Sequence, residues 1–450
     1  MGLSSKKAPL SLAQRQVKES VPDGDDRTDF RRDRDIILYT SAFKRLSGIT
    51  QVVSADTGHT FHNRLTHTLQ VAQVGKSLAE KLLLRQPAEA AAAMLEPDAV
   101  EAGCLAHDLG HPPFGHIAEE KLNELVGEDS EGFEGNAQSF RIVSALAFRS
   151  PKYSGLNLTR GTLSAILKYP WTFKLRPPKK KKKWGAYETE IDAFKFATST
   201  DGSKASAKSL GAELMDWSDD LTYAVHDVED FYRAGLIPLH RLRPPAKILA
   251  PDKERDRFLG YVWSKRSEIS ELSGVSRSEL DSIFGEVVFS AFSIDRPYDG
   301  TRDQRARLRR FTSSLVNRYI NGLTLKRRKG DVIANISPEM MQEIAILKQL
   351  TWFYVIEAPG LAIQQHAQTQ AIEYLFAVFA NETRTTPSKL LPPYYRERLA
   401  EVIETEGQDG PGSRRLVADL IAGMTEAQEF ALYQRLKGIV LGSAMDHILV

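Results

Sequence analysis

The sequence predicts an all-α, mainly helical protein, and three observations carry that expectation. Apolar residues recur at three- and four-residue spacing through most of the chain, alternating strand-like patterns are scarce, and Pro or Gly separates one periodic stretch from the next. The 450 residues are 42% apolar and 26% charged, a composition that can bury a large core. No apolar run approaches the roughly 20 residues of a bilayer span, and the start "MGLSSKKAPL" lacks the apolar centre of a secretory signal. A cytoplasmic location with no membrane partner is expected.

Taken in order, residues 1 to 28 are polar and end in "VPDGDDRTD", which reads as a flexible arm. Folded structure is expected from "FRRDRDIILYTSAFKRL" onward. In "HNRLTHTLQVAQVGKSLAEKLL", Leu65, Leu69, Ala72, Leu78 and Leu82 fit a helical stripe, and His67 shares a face with Val71, Val74 and Leu78. "DAVEAGCLAHDLG", "AKSLGAELMDWSDDLTYAVHDVEDFYRAG", "PEMMQEIAILKQLTWFYVIEA", "GLAIQQHAQTQAIEYLFAVFA" and "SRRLVADLIAGMTEAQEFALYQRLKG" read as further helices. The Pro- and Lys-rich stretch 176–185 reads as a surface insertion, and "AYETEIDAFKFAT" after it as a short β-hairpin. A boundary near residue 235 divides a core, 29–235, from a helical C-terminal region, 236–450.

The chemistry concentrates in the first half. Six of the ten histidines (His59, His62, His67, His107, His111 and His116) fall between residues 59 and 116, and "GCLAHDLGHPPFGHIAEE" holds three of them beside carboxylates and a Pro-Pro corner. The single cysteine, Cys104, excludes a disulfide framework and a multi-cysteine zinc site, so any metal is held by nitrogen and oxygen. Gly103 and Cys104 leave room for helices to approach closely ahead of His107 and Asp108. His116 and Glu119 stand at i, i+3 on one helix, a spacing at which a carboxylate can orient an imidazole. Asp219, Tyr223 and Asp227 form a polar stripe opposite Leu214, Leu221, Ala224 and Val228. Together His67, His107, Asp108 and Asp219 offer two nitrogens and two carboxylates, a mixture suited to one Mn²⁺, Mg²⁺ or Fe²⁺, with Zn²⁺ also accommodated.

The ordered series "RDRDIILYTSAFKRLSGITQV", "HTFHNRLTHTLQVAQ", "AHDLGHPPFGHIAEE", "GFEGNAQSFRIV", "LMDWSDDLTYAVHDVED", "APGLAIQQ" and "LIAGMTEAQ" resembles the deoxyguanosine triphosphate triphosphohydrolases of the HD-domain superfamily. The resemblance implies an HD-domain core and the metal ligands His67, His107, Asp108 and Asp219, with Asp219 preferred to Asp220 because the family's Tyr follows its ligand by four residues, as Tyr223 does. It further implies His116 and Glu119 as the catalytic pair, Arg64 and His111 facing phosphates, and Gln51, Tyr223 and Asp227 holding the deoxyribose while Val52 crowds its 2′ position. The implied activity hydrolyses a deoxynucleoside triphosphate to deoxynucleoside and triphosphate, in a homo-oligomer with regulatory nucleotide sites to which Arg305 to Arg310 contribute.

Three positions depart from the family pattern. Gly135 stands where some members carry His, Asp220 stands where a related vertebrate enzyme has a phosphate-binding Lys, and position 111 is Asn in some bacterial members. If a phosphate-binding cation is needed at position 220, another basic residue must serve. Two other functions fit parts of the sequence: an HD phosphohydrolase acting on a signalling nucleotide, and a nucleic-acid-binding protein using "RPPKKKKKW", "RDQRARLRRF" and "LKRRKG". The net charge of +2 gives the second little support, because no whole-molecule field favours a polyanion.

Overall fold

The computed structural model describes residues 11–20, 23–52, 61–199, 207–242, 253–291 and 294–443. Helices dominate it. In chain order they are α1 (Asp29–Tyr39), α2 (Ser41–Arg45), α3 (Arg64–Arg85), α4 (Pro87–Ala92), α5 (Pro97–Ala106), α6 (His116–Val126), α7 (Gly135–Arg141), α8 (Arg160–Ile166), α9 (Ile191–Thr198) and α10 (Leu210–Arg233). There follow α11 (Lys253–Lys265), α12 (Arg277–Ala291), α13 (Arg302–Gly322), a hairpin β1 (Thr324–Arg328) and β2 (Asp331–Asn335), then α14 (Pro338–Thr351), α15 (Pro359–Glu382), α16 (Pro393–Glu406), α17 (Pro411–Ala422) and α18 (Glu426–Leu436).

Local chemistry sets the helix starts. The side chains of Asn63, Ser209 and Thr425 accept from the backbone N–H groups of Thr66, Ala212 and Gln428, satisfying donors that a first turn leaves free. In α3 the buried stripe runs through His67, Val71, Val74, Leu78 and Leu82, whereas Leu69 is exposed. The expected stripe therefore holds except at Leu69, which lies off the face shared by His67 and Val71. On α10, Leu214, Leu221, Ala224 and Val228 are all buried, as their spacing requires.

Helices α3, α5, α8 and α10 pack on one another and, with α13 and α14, form the larger hydrophobic core. A second core joins Phe114, Ala118, Leu122 and Val126 to apolar residues of α15 to α18. Helix α6 thus rests on the C-terminal region, a packing that crosses the boundary expected near residue 235.

Three local readings are corrected. "AYETEIDAFKFAT" forms a helical turn followed by α9, because Ala193, Phe194 and Ala197 bury one helical face. The hairpin lies at 324–335, where Lys329 and Gly330 both have positive φ (52° and 97°), the geometry of a two-residue hairpin turn. Residues 11–20 of the polar arm lie against the core: Arg15 pairs with buried Asp33 at 2.6 Å, and Arg160 and Gly161 N–H groups donate to Gln14 and Leu12 carbonyls.

Candidate active site

Small residues let α3, α7 and α8 approach α5 and the turn that follows it closely. A side chain at Gly75 of α3 would meet Cys104 Sγ of α5 at 2.6 Å, and one at Gly103 would meet Ala165 of α8 at 2.7 Å. Gly110, in the turn after α5, approaches α7 so closely that a Cβ there would sit 2.1 Å from the Ser139 nitrogen. Ser139 Oγ donates to the His107 carbonyl and accepts from Gly110 N–H, locking that turn.

His67 Nε2 lies 3.1 Å from Asp219 Oδ1, and His107 Nε2 lies 3.6 Å from the same oxygen. These three side chains present ligand atoms mutually within 4.8 Å, close enough to share one ion. Asp108 stands beside them, its Oδ1 3.4 Å from His107 Nε2 and its Oδ2 accepting from Arg64 Nη1 at 2.9 Å. His107 Nδ1 bonds to the Cys104 carbonyl at 2.6 Å, so that nitrogen carries a proton and Nε2 is the one that faces the carboxylates. Nε2 is buried and makes no hydrogen bond. That orphaned nitrogen among carboxylates fits a divalent cation. Burial pulls the His107 pKa down, but Asp108 and Asp219 outweigh it and raise it to about 9. The same negative field favours a metal ion in place of the proton. Asp219, despite burial, is held well below the carboxylate range by Lys168 and the two imidazoles.

Beyond Pro113 the chain turns through Phe114 and Gly115, both with positive φ (65° and 62°), and delivers His116 as the first residue of α6. His116 Nδ1 meets Glu119 Oε2 at 3.0 Å; the imidazole is 74% exposed and the carboxylate only 8%. The ring can reach a bound molecule while its partner stays fixed. Glu119 Oε1 accepts from Lys183 Nζ at 2.9 Å and from Gly135 N–H at 3.2 Å. Lys183 also reaches Glu134 Oε1 at 3.1 Å. His111 Nδ1 lies 2.9 Å from Asp108 Oδ1, and burial together with Arg64 pushes its pKa down to about 4.

Tyr223 and Asp227 follow Asp219 by one and two turns of α10, and the charge of Arg64 acts on both. Asp227 is buried with Oδ2 unpartnered; burial and the carboxylates of Asp230 and Asp219 push its pKa well up. Gln51 Oε1 is likewise buried and unpartnered, and Val52 packs on the larger core. Both follow Thr50, which bridges to Asn63 immediately before Arg64.

The histidine cluster divides. His67, His107, His111 and His116 gather here, whereas His62 pairs with Asp230 and Gln70 and stacks on His226; His59 lies outside the described residues. Three residues of the site escaped the sequence reading: Lys168, Lys183 and Glu134. Lys168 bonds Asp219 and Asp216 at 2.9 and 2.8 Å, which brings a cation beside the site, whereas Asp220 pairs with Lys348. The 176–185 stretch is a surface insertion only in part. Lysines 179 to 182 are exposed, but Trp184 is buried against Phe173 and Tyr187, drawing Lys183 inward. An aromatic closing a lysine run was the available signal.

Residues 64–224 match the HD domain, and residues 334–435 match the phosphohydrolase-associated domain. A deoxyguanosinetriphosphate triphosphohydrolase-like protein of Corynebacterium efficiens is 35% identical over 92% of both chains. The chain belongs to this family. Other members include the Streptomyces coelicolor protein of the same description, 33% identical over 92% of this chain and 93% of its own, and one from Shewanella baltica, 29% identical over 94% and 95%. The deoxyguanosinetriphosphate triphosphohydrolase-like family is one of HD phosphohydrolases, and the His/Asp group described above is where this member can hold a metal. No helix among the described residues is long and apolar enough to cross a membrane.

Proposed function

We propose that this HD phosphohydrolase cleaves deoxynucleoside triphosphates at the α-phosphorus, giving deoxynucleoside and inorganic triphosphate. The observation that carries the reading is the arrangement of charge. The His67, His107 and Asp219 group with Asp108 adjoins Arg64 on one side and Lys168 on another. The His116–Glu119 pair stands nearby with Lys183 behind it. A triphosphate needs both kinds of group, cations for its oxygens and a proton donor for the departing alcohol.

In this reading His67, His107, Asp108 and Asp219 hold one divalent ion. Such an ion polarises a phosphoryl oxygen and lowers the pKa of water. Arg64 and Lys168 neutralise phosphate charge, supported by His111, while Lys183 holds Glu119. Water attacks the α-phosphorus, the P–O5′ bond breaks, and His116 gives its proton to the 5′ oxygen while Glu119 holds the ring. Asp227, Tyr223 and Gln51 supply polar contacts to the sugar hydroxyl. Val52 crowds the 2′ position. Within the lysine run, Lys183 turns to a carboxylate of the site, and Lys168 does the same from outside the basic runs, which favours the hydrolase over a nucleic-acid-binding module.

Incubation with each deoxynucleoside triphosphate, singly and mixed, with Mg²⁺ or Mn²⁺, followed by product analysis, tests the reading. Deoxynucleoside and intact triphosphate in equal amounts are expected. Release of orthophosphate or pyrophosphate, or activity confined to cyclic nucleotides, overturns it.

A further inference from the structure

The motif "LIAGMTEAQ" lies far along the chain from every residue placed so far in the site, yet its Glu426 reaches both flanks of that site. Glu426 is the first residue of α18, capped by Thr425. Its Oε1 accepts from Thr50 N–H at 2.8 Å and from Phe114 N–H at 3.1 Å, and its Oε2 accepts from the Thr50 hydroxyl at 2.7 Å. Thr50 directly precedes Gln51 and Val52. Phe114 begins the positive-φ corner that delivers His116. One carboxylate thus holds the segment expected to read the sugar and the turn that places the proton donor.

Neighbouring contacts converge on the same two segments. Buried Arg45 donates to the Met424 carbonyl at 3.0 Å and to the Leu109 and His111 carbonyls at 2.7 and 2.8 Å. The Phe114 ring packs edge-on against Phe430 of α18, with centroids 5.1 Å apart. A carboxylate in the first turn of a helix already benefits from the helix dipole. Helix capping alone, however, does not require three bonds to two distant segments.

We infer that Glu426 is a positioning residue, through which the C-terminal region fixes the His116 turn and the Gln51–Val52 segment relative to each other. The inference rests on the functional reading above. It assigns to the phosphohydrolase-associated region a part in the geometry of the HD site, with no contact to substrate.

The test compares full-length Glu426→Ala and Glu426→Gln with the parent in metal content, hydrogen–deuterium exchange, and kcat and KM for deoxy- and ribonucleoside triphosphates. In Glu426→Ala, metal content is expected to persist while exchange rises at both 46–52 and 109–120. A displacement of about 1 Å in a reacting group can lower a rate about 100-fold, so kcat should fall about 10- to 100-fold with KM little changed. Ribonucleotide turnover should rise relative to deoxyribonucleotide turnover. Glu426→Gln should recover most of the rate, since its amide oxygen still accepts the two backbone N–H groups. Exchange unchanged in either segment, or a lower thermal midpoint with kcat and the sugar ratio both intact, overturns the inference. If the parent hydrolyses no deoxynucleoside triphosphate, the functional reading has failed, and the exchange data alone decide whether Glu426 couples the segments. Should Glu426→Ala not fold, Thr50→Val, which removes only the hydroxyl bond, carries the exchange comparison at 46–52.

Discussion

Lys183 donates to Glu119 at 2.9 Å, placing the last residue of a five-lysine run directly behind the carboxylate that orients His116. Burial pushes the Glu119 pKa up, but the His116 hydrogen bond and the Lys183 charge outweigh it and hold the group well below the carboxylate range. Glu134, buried beside the same ammonium, is pushed up by desolvation. Lys183 therefore keeps Glu119 ionised in a pocket with a second carboxyl group.

Replacing Lys183 with Met removes the cation that favours ionised Glu119, so the Glu119 pKa should rise. Activity needing that carboxylate is present above its pKa and lost as pH falls through it, so the acid limb of the pH–rate profile should move to higher pH. Loss of a charged hydrogen bond costs about 1.5–3 kcal/mol, an expected fall of about 10- to 100-fold in kcat/KM near neutrality. A pH–rate profile superimposable on the parent's would remove Lys183 from the pair.

His107→Ala and Asp108→Ala should each reduce bound metal and activity together, because each removes a member of the proposed ligand set, which has no thiolate to compensate. Metal analysis of the purified proteins checks this. Asp108 is the more discriminating position, since Arg64 and His111 also engage it. Undiminished metal with a reduced rate in Asp108→Ala would reassign that carboxylate to holding Arg64.

Val52→Gly should raise ribonucleotide hydrolysis relative to deoxyribonucleotide hydrolysis. Burying a hydroxyl against a methyl group without a partner costs about 1–3 kcal/mol, a selectivity of about 10- to 100-fold. The ratio of the two specificity constants is the measurement. An unchanged ratio places the sugar elsewhere.

Much of this site was legible because its residues are close in sequence or share a helix face. His107 and Asp108 are adjacent, His116 and Glu119 are one turn apart, and Asp219, Tyr223 and Asp227 repeat along α10. Helical periodicity likewise disclosed α3 and α10. What remained hidden depends on pairing across the chain. Lys168 meets Asp219, Lys183 meets Glu119 and Glu426 meets Thr50 only after folding, and no local pattern encodes such distances. A lysine run is usually solvated, so its composition concealed Lys183. The hairpin was obscured similarly, because "LKRRKG" reads as charge whereas its Lys-Gly pair is the turn.

Glu429, one turn after Glu426, is fully buried with neither carboxyl oxygen hydrogen-bonded, and burial raises its pKa well above the usual range. Folded protein keeps the proton while unfolded chain releases it above about pH 4.5, so this group subtracts stability as pH rises from there toward its folded pKa. Glu429→Leu should stabilise the protein at pH 7 to 8 by about 1–3 kcal/mol, the usual cost of an unsatisfied buried polar group. The gain should shrink toward pH 4. Denaturation midpoints across that range decide the matter, and a gain independent of pH would attribute it to packing alone.

His116 and Glu119 differ sharply in exposure, 74% against 8%. His116 is largely solvent-facing and is not part of the His67, His107 and Asp219 group, whereas its partner Glu119 is buried and fixed from behind by Lys183 and Gly135. A residue so placed can transfer a proton without holding the ion. His116→Ala should therefore retain metal, fold and nucleotide binding, while the hydrolysis rate falls by about 10² to 10⁴, the usual range for losing a general acid or base. Glu119→Gln should lose less in the same direction, since the amide still meets the ring although the charge is gone. Metal content and single-turnover rate measured on one His116→Ala preparation separate the alternatives. Loss of metal would make His116 a ligand, and an unimpaired rate would reduce the pair to a surface contact, leaving the proton for the 5′ oxygen to come from water.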